Sequence, residues 1–81
     1  MEDQYEIKYT VLKLIKGLGN ASVEDVVNQS DGNLNPESAR MVLLRLFRQG
    51  LLHRSKNGHA YFYTITDRGI DRILFHETKD Q

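Results

Sequence analysis

The sequence predicts a mainly α-helical α+β domain in which three helices are followed by a small β-hairpin and a fourth helix. Three observations carry this prediction. Apolar residues recur at three-and-four spacing in segments bounded by capping and turn residues. After Gly50 the period changes to two, and an Asn57-Gly58 pair sits between the two alternating stretches. With 81 residues in all, the chain has material for one domain with one modest core, expected over about 5–75, with 1–4 and 77–81 frayed.

In the first helix, from Tyr5 to Lys16, Ile7, Val11, Leu14, Ile15 and Leu18 form one apolar stripe, and Gly17, Gly19 and Asn20 punctuate its end. Ser22 stands just ahead of Val23, Val26 and Val27, where its hydroxyl can cap a short second helix running to about Gln29. Asp25 is shorter than the usual capping-box glutamate, so the cap is expected without the reciprocal bond. Ser30-Asp31-Gly32-Asn33 reads as a turn. The third helix has the firmest bounds: Asn35 as N-cap, Pro36 at the first helical position and Gly50 just past the end. Ala39, Val42, Leu43 and Leu46 share its packing face, while Glu37, Met41, Leu44, Arg45 and Arg48 project away.

His53 to Lys56 leads into Asn57-Gly58, the signature of a two-residue hairpin turn with positive φ at both central positions. Along the returning strand, His59 to Ile65, Tyr61, Tyr63 and Ile65 point one way and Phe62 and Thr64 the other. Tyr61 and Tyr63 are expected to cover the helices and Phe62 to face outward. Thr66 then caps a last helix striped by Ile70, Ile73 and Leu74.

Composition narrows the function classes. Eleven basic and eleven acidic residues give a formal net charge of zero. The distribution is uneven: between Ser38 and Thr66 lie Arg40, Arg45, Arg48, Arg54 and Lys56 and no Asp or Glu. A basic middle with acidic ends suggests one face directed at a polyanion. The absence of cysteine excludes a disulfide framework and thiolate metal sites. His53 and His59 fall on opposite arms of the hairpin and His76 lies far away, without the paired spacing of a zinc site. No glycine-rich phosphate loop or nucleophile motif occurs. The reading is therefore of a non-enzyme with no cofactor and no metal. An acidic N-terminus without an apolar run makes the cytoplasm the default location and excludes a membrane partner.

The element order resembles the winged helix-turn-helix domain. Ala39-Arg40-Met41-Val42-Leu43-Leu44-Arg45-Leu46-Phe47-Arg48-Gln49-Gly50-Leu51-Leu52 is similar to the recognition helix and first wing strand of bacterial and archaeal regulators of the MarR, PadR and ArsR types. Tyr63-Thr64-Ile65-Thr66-Asp67-Arg68-Gly69 is similar to the junction that follows the wing in those families. The resemblance covers roughly Val11 to Leu74 and implies a transcription regulator that binds double-stranded DNA, recognition helix in the major groove and wing on the backbone or minor groove.

On that basis the DNA contacts are expected from Asn35, Ser38, Arg40, Met41, Arg45 and Arg48 of the helix and from Arg54, Lys56, Asn57 and His59 of the wing, with Ser38, Arg40 and Arg45 foremost. A homodimer is expected through the terminal helices by Tyr5, Tyr9, Leu12, Ile73 and Phe75, since these add more apolar surface than so small a core needs. No small-molecule ligand is indicated. The rival reading is a winged helix used as a protein-interaction module, favoured by the neutral net charge and by Met41 and Leu44 on the helix face meant to read DNA.

Overall fold

Three of the helices begin where a side chain satisfies an amide group that the first turn leaves free. The structure, a computed structural model, describes the backbone of residues 4–79 and the side chains of 7–78. The elements are α1 (Gln4–Leu18), β1 (Ala21–Ser22), α2 (Val23–Gln29), α3 (Pro36–Arg48), β2 (Leu52–Asn57), β3 (Ala60–Ile65) and α4 (Asp67–Lys79). The N–H of Asp25 donates to Ser22 Oγ at 3.2 Å and the N–H of Ser22 donates back to Asp25 Oδ2 at 3.1 Å. Asp25 thus closes the capping box that its short side chain was expected to leave open, because the extended backbone of Ser22 brings its N–H within reach. At α3 the N–H of Ser38 donates to Asn35 Oδ1 at 2.8 Å, and Pro36 opens the helix as predicted. Thr66 Oγ1 accepts from the N–H of Gly69 at 3.0 Å and donates to the carbonyl of Gly50 at 2.8 Å, tying the start of α4 to the end of α3.

The sheet has three antiparallel strands in the order β1-β3-β2, one strand more than the predicted hairpin. Ala21 pairs with Tyr63 and Ser22 with Phe62. Two residues are too few to show an alternation. The strand exists because an N-cap needs the same extended backbone that a ladder does, and Ser22 serves both.

The hairpin turn also differs. The ladder runs from Leu52↔Ile65 to Asn57↔Ala60, which makes Gly58-His59 the loop instead of Asn57-Gly58. Gly58 has φ +65 and His59 is not at positive φ, the sign pattern of a turn with glycine at its first central position. This turn asks for positive φ only where no Cβ resists it. The one-residue slip moves every cross-strand partner by two and so preserves the faces.

Val11, Leu12 and Ile15 of α1 form the core with Val26, Ala39, Leu43, Leu46, Leu51, Leu52, Tyr63 and Ile73. The apolar arc of α1 is wider than one stripe, because the helix packs against α2, α3, β3 and α4 at once. Leu18, assigned to that stripe from its spacing, is exposed at the last residue of the helix. Helix α4 continues to Lys79, with Glu77 Oε2 accepting from Tyr9 Oη at 3.3 Å and lying 4.0 Å from Lys13 Nζ.

Candidate nucleic-acid interface

Caps and packing together decide which side of α3 is free. Ala39, Leu43 and Leu46 are buried, so Glu37, Arg40, Met41, Arg45 and Arg48 are turned outward and all are exposed. Two grooves flank this outward ridge. On one side a groove of about 560 Å³ runs between the start of α2, α3 and the hairpin, with Arg40, Leu44, Arg54, His59 and Tyr61 in its walls. On the other a groove of about 250 Å³ lies against α1, with Ile7, Lys8, Leu34, Ser38, Met41 and Arg45 around it.

The placement divides the predicted contact residues. Arg40 and Arg54, from different elements, meet in the wing-side groove, with His59 beside them. Arg45 and half-buried Ser38 belong to the α1 side. Arg48 is in the last turn of α3, and Lys56 and Asn57 are exposed near the hairpin tip. Asn35 is exposed, but its side-chain carbonyl is committed to the cap, which leaves its NH2 group for another partner.

Met41 and Leu44 do not form one apolar pair. Met41 is 50% exposed beside the α1-side groove, whereas Leu44 is half-buried in the wing-side groove. Residues three apart on a helix differ by about 60° around its axis, which is enough to put them on opposite slopes of a narrow ridge.

The ridge is mostly basic, with exposed Glu37 the one acid of α3. Among the described residues the one ion pair is Lys13 with Glu77, remote from the grooves, so Arg40, Arg45, Arg48, Arg54 and Lys56 all lack a carboxylate partner. Two of these cations instead meet aromatic rings. The Arg54 guanidinium lies over Phe47 at 4.4 Å and over Tyr61 at 4.6 Å from the ring centroids, and Lys56 Nζ lies 5.8 Å from the Tyr61 centroid. Tyr61 therefore corrects the expectation that it covers the helices: it shares the face of buried Tyr63 but extends beyond them and is 43% exposed. Phe62, expected outward, is half-buried beside β1.

Sequence reasoning missed Phe47 as the wing's neighbour, and it missed Glu24, which the start of α2 carries into the wing-side groove. An acid-free stretch of sequence does not make an acid-free surface. Nothing local could have shown that two segments about 30 residues apart share a wall.

The expected dimer residues fare unequally. Leu12 and Ile73 are 1% and 2% exposed and belong to the core, a correction that follows from α1 and α4 packing on each other. Tyr9 is half-buried with its hydroxyl on Glu77 and its ring 5.4 Å from that of His76. Phe75 is 58% exposed, as is Leu74 to 50%, while the side chain of Tyr5 lies outside the described residues. Among the described residues no helix is long and apolar enough to cross a membrane.

Four helices, a three-stranded sheet ending in a hairpin and an outward third helix beside that hairpin define a winged helix-turn-helix protein. The chain belongs to the penicillinase repressor family, whose model matches residues 6–70. No curated protein sequence matches it. Among solved structures it is similar to Sso10a-2, a DNA-binding protein from Sulfolobus solfataricus, with TM-score 0.81 at 19% identity over 95% of this chain and 77% of that one. It is similar to YusO from Bacillus subtilis, with TM-score 0.75 at 20% identity over 83% of this chain and 48% of that one. A mutant of MarR from E. coli complexed with operator DNA matches with TM-score 0.76 at 15% identity, over 84% of this chain and 49% of that one. At these identities the likeness is one of fold, and the chain spans about half the length of the YusO and MarR chains.

Proposed function

We propose that the chain is a DNA-binding transcriptional regulator that reads double-stranded DNA with α3 in the major groove and sets the tip of the β2-β3 hairpin against the backbone. The observation that carries this reading is the exposed ridge of α3, on which Arg40, Arg45 and Arg48 have no carboxylate partner, flanked by a wing that adds Lys56. A ridge one helix wide fits the major groove, and base edges there are legible to Arg and Ser side chains. Ser38, Arg40 and Arg45 are the contacts best placed for it, with Arg48, Lys56, Asn57 and His59 toward phosphates. Membership of a repressor family supports the same reading, as does likeness to the DNA-binding protein Sso10a-2 and to MarR in its operator complex. Exposed Met41 beside a groove that also holds Ile7, Leu34 and Val42 favours the second reading, a protein partner docked on the α1 side of α3.

Titration of a mixed duplex pool at two salt concentrations separates the two. DNA binding gives an affinity that falls steeply with salt. Arg45→Ala or Lys56→Ala weakens it, and each phosphate interaction removed lowers the slope of log K against log salt by about 1. An affinity indifferent to salt and to both substitutions would overturn the proposal.

A further inference from the structure

We propose that Arg54 is a positioning residue that fastens the wing to the recognition helix, and that its weight in DNA binding comes from holding Lys56 and the hairpin tip in place. This rests on the DNA-binding reading above. Apolar burial is confined to the inner part of the hairpin: Leu52 is the one buried residue of β2, Tyr63 the one buried residue of β3 with half-buried Phe62 beside β1, and Ala60 and Tyr61 are exposed. Beyond that part the hairpin would stand free, since a two-stranded ribbon without a packed face has little stability of its own.

Arg54 supplies the missing attachment. It pairs across the ladder with Tyr63, so it sits on the face that looks toward the helices, diagonal to Tyr61. Its guanidinium lies over Tyr61 of β3 and over Phe47 in the last turn of α3, which links the outer hairpin directly to the recognition helix. Among the described residues no carboxylate forms an ion pair with it, although Glu24 lines the same groove. A planar guanidinium can lie flat over rings while its in-plane donors stay hydrated, and a compact, strongly hydrated ammonium cannot reproduce that contact. Lys56, two residues further on the same face, is then held over Tyr61 as well.

The test uses the full chain and three variants, Arg54→Ala, Phe47→Leu and Tyr61→Leu. Phe47 is half-buried; exposed Tyr61 keeps the experiment decisive should Phe47→Leu fold poorly. In the free protein each variant is expected to lower the amide order parameters of residues 55–60 while leaving those of α3 unchanged, and Arg54→Lys is expected not to restore them. On duplex DNA each is expected to weaken binding about fivefold without changing the salt slope, and Arg54→Ala with Phe47→Leu to lose no more than either alone. A wing as rigid in the variants as in the parent would overturn the proposal. So would a salt slope reduced by about one in Arg54→Ala with Phe47→Leu binding normally, the signature of a plain phosphate contact. If the parent chain binds no DNA, the functional reading fails, and the order parameters still decide whether Arg54 fastens the wing.

Discussion

Ser30 closes α2 and opens the turn that leads to α3, and it does both with one hydroxyl. Its Oγ donates to the carbonyl of Val27 at 2.7 Å and accepts from the N–H of Leu34 at 3.2 Å, and the residue is 6% exposed. Ser30→Ala leaves a half-buried amide without a partner, which costs about 1–2 kcal/mol. Urea unfolding is expected to show a lower midpoint at an unchanged slope. That Ser30 belongs to a turn was legible from its neighbours Asp31, Gly32 and Asn33. Its two bonds were not, because the Val27 carbonyl and the Leu34 amide meet only after the chain has reversed through Asp31 at φ +57. Ser22 was legible further, since a capping hydroxyl and its target lie in one turn of chain.

At the scale of elements, the approach of α4 to the end of α3 sets how the wing is hung. A Cβ at Gly69 would strike the Leu51 carbonyl and the side chain of Ile65, so α4 can sit where it does only because that position lacks one. The Thr66 N–H donates to the same Leu51 carbonyl at 3.1 Å, holding the strand-to-helix junction to the residue that precedes β2. Gly69→Ala is expected to destabilise the fold by about 3 kcal/mol, as rigid backbone cannot yield the space that a flexible side chain could. A fall in thermal midpoint of about 10 °C or more would register it; an unchanged midpoint would mean that α4 shifts freely on the sheet. Periodicity located α3 and α4 to within a residue or two at their starts. The contact between Gly69 and Leu51 joins residues whose proximity no periodicity encodes.

For the whole molecule, the open matter is how two copies would combine on DNA. A single winged helix makes few base contacts, and a two-fold dimer on half-sites about one helical turn apart is the usual remedy. With Leu12 and Ile73 committed to the core, the apolar side chains that α4 still exposes are Leu74 and Phe75. We expect dimerisation to use that face. Sedimentation at high micromolar concentration should show a dimer for the parent chain and a monomer of unchanged helicity for Leu74→Glu. A monomeric parent would overturn the expected dimer, and a dimeric Leu74→Glu would move the interface elsewhere.

What the sequence determined by itself depends on neighbours along the chain: the caps at Ser22, Asn35 and Thr66, the packing face of α3, the change of period after Gly50, and with them the order of elements that marks a winged helix. What tertiary structure decided was what those elements do to one another. It turned Leu12 and Ile73 inward, added β1 to the sheet, separated Met41 from Leu44, brought Glu24 into the groove that Arg40 lines, and set Arg54 over the rings of Phe47 and Tyr61. The physical reason is range. Capping and amphipathic patterning act over one or two turns of chain and are written in local spacing, whereas burial and cation–π contact depend on which surfaces meet, a property of the whole packing.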